Sequence, residues 1–245
     1  MKENNWFDPF YIQSHLSEEE SNIQKNVRDF CNNELKPTVV ERNRKNEFDQ
    51  SLYPKFGSLG VLGQTVKTHG GSGTSNLAYG LVAYEFEKID SSYRSSISVQ
   101  SSLVIHPINE FGSQEQKDKY LPQLIKGEKI GCFGLTESEA GSDPASMKTS
   151  FKKTKDGYIL NGSKNWITNA PIADIFIIWA IEENKDHKSI KGFIIEKNTE
   201  GLNTSTIENK TSLKISPTGQ IILNNVFIPN NLCLENTEGW KSVFS

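Results

Sequence analysis

Long apolar runs are missing from this sequence. No stretch approaches the ~20 residues that a membrane-spanning helix needs. Charge of one sign is missing too: 27 Lys and Arg are set against 30 Asp and Glu, for a formal net charge of −3. The two signs are mixed along the chain, which excludes the basic surface that nucleic acid or an anionic membrane would require. Cysteine is scarce. Cys31, Cys132 and Cys233 stand far apart with no metal-ligand spacing, so a disulfide framework and a zinc cluster are both excluded. They read as small buried apolar side chains in a reducing compartment. His106 has no Cys partner in the sequence, so a thiol nucleophile finds no support. Phosphate-loop spacings are absent as well. His69-Gly70-Gly71-Ser72-Gly73 fits neither G-x-x-x-x-G-K-[ST] nor G-x-G-x-x-G and reads as a turn. The N-terminus lacks an apolar signal core and an Arg-rich amphipathic pattern. That points to a bacterial cytoplasm, or to the mitochondrial matrix if a transit peptide has been removed. No internal repeat and no low-complexity tract is present.

What is there divides in two. At 245 residues the chain holds one large or two small domains. Up to residue 128 the apolar spacing is helical. An arm over residues 1–16 carries Trp6, Phe7, Phe10, Tyr11 and Leu16 around Pro9, aromatics placed to dock. Ser17 and Glu20 form a capping box before a helix whose face is Ile23, Val27, Phe30, Cys31 and Leu35, ended by Lys36-Pro37. A second helix is expected over residues 52–59. Thr74 or Ser75 caps a third, and a fourth runs through Arg94, Ser98, Leu103 and Ile105 until Pro107 ends it. Ser113 and Gln116 make another capping box.

Near Ile130 the period changes from 3.6 to 2. Strands are expected over residues 130–135, 147–155, 158–161, 175–181, 193–196 and 221–226, the last closed by Pro229. Asp156-Gly157 and Asn161-Gly162 are hairpin turn signals. Short strands between turns imply a β-barrel or sandwich. The expected fold is therefore α+β: a helical domain over residues 1–128, a β-domain over 129–238, and the start of a further helix over 239–245.

Residues 131–169 organise the rest. A strand breaks into the polar loop Thr136-Glu137-Ser138-Glu139-Ala140-Gly141-Ser142-Asp143, and a second polar stop arrives at Trp166-Ile167-Thr168-Asn169. Gly141 lets backbone approach a ligand without a Cβ, and Thr136 and Ser142 can donate and accept. The residues alone leave two readings open, a loop for a planar phosphorylated cofactor or an ordinary hairpin loop. Trp166 is likewise a cofactor lid or a core aromatic. Arg94, in a hydroxyl-rich helical stretch, either meets an anionic ligand or is a surface charge paired with Glu87 or Asp90.

Leu135-Thr136-Glu137 with Ala140-Gly141-Ser142-Asp143, followed by Gly162-Ser163-Lys164-Asn165-Trp166-Ile167-Thr168-Asn169, resembles the flavin-binding signature of acyl-CoA dehydrogenases. The resemblance covers residues 6–238. It implies FAD as cofactor, held by Phe133, Leu135, Thr136, Gly141, Ser142, Trp166, Ile167 and Thr168. It implies an acyl-CoA thioester substrate that also touches Ser142. Tyr93-Arg94-Ser95 is similar to the glutaryl-CoA dehydrogenase branch, which implies that Arg94 grips a distal carboxylate, with Ser95 and Ser98 lining the pocket and Glu87 tuning Arg94. The implied reaction is α-proton abstraction, hydride transfer from the β-carbon to the flavin, and loss of CO2 from glutaryl-CoA to give crotonyl-CoA. The implied acceptor is an electron-transferring flavoprotein, and the implied full-length assembly a homo-oligomer. The family's catalytic glutamate lies on a third, helical domain, so no catalytic base is assigned in this sequence and no metal is expected. A flavin- or acyl-CoA-binding fragment without turnover and an acyl-CoA oxidase are the alternative readings.

Overall fold

In the computed structural model, which describes residues 8, 10–185, 189–237 and 239–244, the first half is helical. Trp6, Phe7 and Pro9 of the expected aromatic arm lie outside the described residues, and Phe10 stands in solvent. Helix α1 (Glu18–Phe30) starts at its capping box: Ser17 Oγ accepts from the Glu20 amide, and Glu20 accepts from the Ser17 amide. The helix widens into a π-helical turn, Cys31–Leu35, and ends ahead of Pro37. A short helix α2 (Val39–Lys45) follows, which the sequence pattern did not announce. Its β-branched start is a poor helix former, and Val39 packs against the core. Next come α3 (Leu52–Ser58) and α4 (Asn76–Glu87), the latter capped by Ser75 rather than Thr74.

Helix α5 (Ser91–Ser98) does not end at Pro107. It runs on through a π-helical segment, Val99–Ile105, into α6 (His106–Phe111). The wider turn lets the His106 amide reach the Ser101 carbonyl. That shift places Pro107 at the start of a fresh α-helical register, where a missing N–H is harmless. Helix α7 (Gln114–Ile125) opens on the second capping box, Ser113 with Gln116.

Seven strands make one sheet: β1 (Gly131–Gly134), β2 (Ser150–Lys153), β3 (Gly157–Thr168), β4 (Ile175–Glu182), β5 (Lys191–Glu196), β6 (Leu202–Thr206) and β7 (Thr218–Pro229). One edge of β4 takes β1 and then β2, both parallel, and the other takes β5 antiparallel. From β2 the sheet continues antiparallel through β3, β7 and β6 and curls as a half-barrel over its own core. Asp156-Gly157 makes the expected hairpin, with the Thr154 amide donating to the Gly157 carbonyl at 2.8 Å. Asn161-Gly162 makes no turn, against expectation, because β3 runs straight through it. Asn161 Oδ1 instead accepts the Asn225 amide at 2.8 Å, opposite an extra residue in β7. β6 escaped the pattern reading because Leu202 is its one apolar residue and the rest of this edge strand is exposed. A last short helix, α8 (Trp240–Val243), closes the described chain.

β4 joins the halves. Ile175, Ile177 and Trp179 enter the core shared with the helices, while Phe176, Ile178 and Ala180 enter the core inside the curled sheet. Period-2 alternation thus serves two apolar layers, which is why the strand reads as one continuous apolar run.

Candidate cofactor and substrate site

The site is laid out where β1 meets the helices. Gly131 packs on Val104 so closely that a Cβ there would collide with it. Gln100 completes the joint. Its Oε1 accepts the Gly131 amide at 2.8 Å, and its Nε2 donates to the carbonyls of Leu124 and Lys129 at 2.9 and 2.8 Å. The helix that carries Arg94 and the strand that leads to Thr136 are therefore one packed unit. Phe133 is half-buried against Trp179, ring centroids 6.2 Å apart, and Leu135 packs on the same core.

Beyond β1 the loop over residues 135–149 opens. The Thr136 carbonyl accepts the Asn165 amide at 2.9 Å, while its own amide and hydroxyl have no partner among the described residues. Gly141 and Ser142 are exposed, and a Cβ on Gly141 would meet nothing within 4 Å. Protein packing does not call for a glycine there; the space is open to a ligand.

Trp166 is no core aromatic. It is 58% exposed and sits at φ +61°, left-handed backbone that a bulky residue rarely adopts. The cause is a bulge: three steps of β3 from Lys164 to Ile167 oppose two of β7. The Trp166 amide is capped by Asn165 Oδ1 at 3.0 Å. The Ile167 side chain is buried in the sheet core, so its backbone is the part that can face a ligand. Thr168 is half-buried opposite Thr218, and the Asn169 amide group donates to the Gly131 carbonyl at 3.1 Å, tying the end of β3 to β1.

Arg94 forms the ion pair that stood as one of its two readings. Its Nε donates to Glu87 Oε2 at 2.8 Å, and Glu87 also accepts the Ser91 hydroxyl. Arg94 and then Ser91 hold the Glu87 carboxyl below its usual range. The side chain is 37% exposed, and neither terminal nitrogen of the guanidinium has a partner among the described residues. Ser95 and Ser98 are half-buried with unengaged hydroxyls. Ser98 lies one turn beyond Arg94 on the same face.

One pair at this site was not foreseen from the sequence. Lys164 is fully buried and donates to Glu137 Oε1 at 2.8 Å and to the Leu135 carbonyl at 3.0 Å. Glu137 in turn accepts the amides of Lys148 and Thr149 at 2.7 and 3.0 Å. Burial pulls the Lys164 pKa down to about 8 against the pull of Glu137. Burial pushes Glu137 up, but the Lys164 charge and these hydrogen bonds outweigh it and leave the carboxylate below its usual value. The pair is charged at neutral pH. The available signal was parity: Lys164 sits on the inward side of β3, where a bare ammonium needs a carboxylate.

The three cysteines are buried and free. Burial pushes the Cys31 thiol up to about 12 and Cys132 upward as well, so neither is a nucleophile. Among the described residues no His, Cys, Asp and Glu cluster could hold a metal, and no helix is long and apolar enough to cross a membrane.

Comparison with known proteins gives a consistent result. Residues 17–128 match the acyl-CoA dehydrogenase N-terminal domain and residues 132–226 its middle domain. A short-chain-specific acyl-CoA dehydrogenase of Clostridium acetobutylicum is 36% identical over 217 residues, covering 88% of this chain and 57% of its own length. The mitochondrial isovaleryl-CoA dehydrogenase of Pongo abelii is 37% identical over 220 residues, covering 87% of this chain and 52% of its own. The crystal structure of a glutaryl-CoA dehydrogenase from Mycobacterium smegmatis in complex with FADH2 superposes with a TM-score of 0.92 at 39% identity, covering 96% of this chain and 60% of that one. The chain thus spans between half and three fifths of the length of these relatives.

Proposed function

Because the chain belongs to the acyl-CoA dehydrogenase family, we propose that its protein is an FAD-dependent dehydrogenase of acyl-CoA thioesters, with glutaryl-CoA as the substrate. The residues present fit the cofactor. The unengaged amide and hydroxyl of Thr136, the open backbone at Gly141, the exposed Ser142 hydroxyl and the strained, exposed Trp166 offer donors and an aromatic face on one loop and its neighbouring bulge. In this reading Thr136 and the backbone of residues 133–142 hold the flavin edge and phosphate arm, Trp166 packs on the ring, and Thr168 stands beside it. FAD supplies the acceptor for the two electrons and the hydrogen that leave the acyl chain. An electron-transferring flavoprotein is the proposed acceptor from the reduced enzyme.

Arg94 carries the choice of substrate. Its Nε is spent on Glu87, which fixes the plane of the guanidinium and leaves both terminal nitrogens for a carboxylate. Ser95 and Ser98 add hydroxyls to a surface that an unbranched fatty tail would not use. A carboxylate held there keeps the far end of a dicarboxylic acyl group fixed, so that its α-carbon and its departing carboxyl are both oriented. A charge-assisted contact of about 1.5–3 kcal/mol corresponds to roughly 10- to 150-fold in kcat/KM.

The test is Arg94→Gln in the protein as isolated. Turnover of glutaryl-CoA is expected to fall by that factor, with turnover of butyryl-CoA changed less than about threefold. Equal losses on both substrates would remove the carboxylate-clamp reading and leave a dehydrogenase of plain acyl chains.

A further inference from the structure

We infer that the buried Lys164–Glu137 pair is a positioning device for the cofactor, fixing the 135–149 loop in the one shape that presents its free donors. The inference rests on the flavin reading of that loop. Burying two charges is unfavourable against a well-packed apolar pair of similar volume, so stability alone does not explain their presence. Their partners do. Lys164 takes the Leu135 carbonyl at the loop's entrance and Glu137 inside it, while Glu137 takes the amides of Lys148 and Thr149 at its exit. Two side chains thus pin both ends of the loop to one point on β3. The next residue on that strand, Asn165, takes the Thr136 carbonyl through its amide and the Ser138 hydroxyl through its side chain. Trp166 follows on the bulge. Gly162 allows the exit to seat: an added Cβ would stand 2.7 Å from the Thr149 Cα. Loop, bulge and tryptophan are therefore oriented from a common buried anchor, while the amide and hydroxyl of Thr136 stay unbonded among the described residues. Neither Lys164 nor Glu137 is a catalytic residue in this scheme. They act through Thr136, the loop amides and Trp166.

The experiment separates stability from positioning. Melting temperature, FAD affinity by flavin fluorescence titration, and amide exchange at Lys148 and Thr149 are measured for the parent protein, for Lys164→Met, and for the apolar replacement Glu137→Leu/Lys164→Met. Lys164→Met leaves Glu137 buried without its cation, so both melting temperature and FAD affinity are expected to fall. The double variant is expected to regain the parent melting temperature while its FAD dissociation constant stays at least tenfold higher and exchange at Lys148 and Thr149 speeds up. A double variant that binds FAD as tightly as the parent overturns the inference and leaves the flavin reading standing. Should the double variant not fold, exchange in the parent decides: fast exchange at those two amides overturns the inference, and slow exchange supports it. A parent protein that takes up no FAD refutes the flavin reading itself, and the inference falls with it.

Discussion

At the scale of the residue, Trp166 holds the most unusual backbone at the site. Left-handed backbone at a bulky residue costs on the order of 1 kcal/mol, and no packing repays it in an exposed side chain. Strain kept where it does not stabilise the fold fits the cofactor-packing role proposed for Trp166. Trp166→Gly relieves the strain while adding the entropy of glycine, so its melting temperature is expected within about 2 °C of the parent. Its FAD affinity is expected to fall clearly, and unchanged affinity in the titration would contradict the lid role. Most of the candidate site residues could be picked out in the sequence, because two motifs in order mark the loop and the end of β3. How the side chains of Trp166 and Ile167 divide was not legible, since the extra residue in β3 that turns Trp166 outward and Ile167 inward has no local signature. Lys164 and Glu137 are 27 positions apart, and spacing along a chain says nothing about a contact made across a loop.

At the scale of the element, local chemistry was legible and tertiary override was not. Both capping boxes formed because their bonds lie within four residues. Pro107 and Asn161-Gly162 are equally plain local signals, yet a π-helical shift absorbed one and the long pairing of β3 with β7 overrode the other. Gly162 has a second duty in its place, at φ +143° against Thr149. Gly162→Ala is expected to destabilise by about 1–3 kcal/mol from backbone strain and crowding, seen as a lowered melting temperature. The junction of α1 and α4 carries a pH prediction. Glu85 is buried and binds Arg28 at 2.9 Å, Gln24 at 2.8 Å and Lys88 at 3.2 Å. Burial raises its pKa, but these three partners outweigh it and leave the group below its usual 4.5. A depressed carboxylate contributes stability above its unfolded pKa and loses it as pH falls through the folded one. Melting temperature should therefore hold from neutral pH down to about 4.5 and drop below it. Glu85→Gln should start lower at pH 7 and drop less on acidification.

At the scale of the whole molecule, the two cores share one strand. Trp179 faces the helices and Phe176 faces the curled sheet, both essentially sealed. If β4 couples the layers, Trp179→Ala and Phe176→Ala each destabilise by about 3–5 kcal/mol and lower one common calorimetric transition. Two transitions that respond separately to the two variants would show the layers to be independent.

The shared strand also sets an order of events during synthesis. The helices emerge first, yet their core lacks Ile175, Ile177 and Trp179 until β4 has been made. Contacts between the π-helical segment Val99–Ile105 and a strand about 70 residues later close slowly, because the intervening chain must be gathered first. The helical half is therefore expected to close only after the 135–149 loop and β3 have been translated, so that the loop can set around its buried anchor before the helices lock against it.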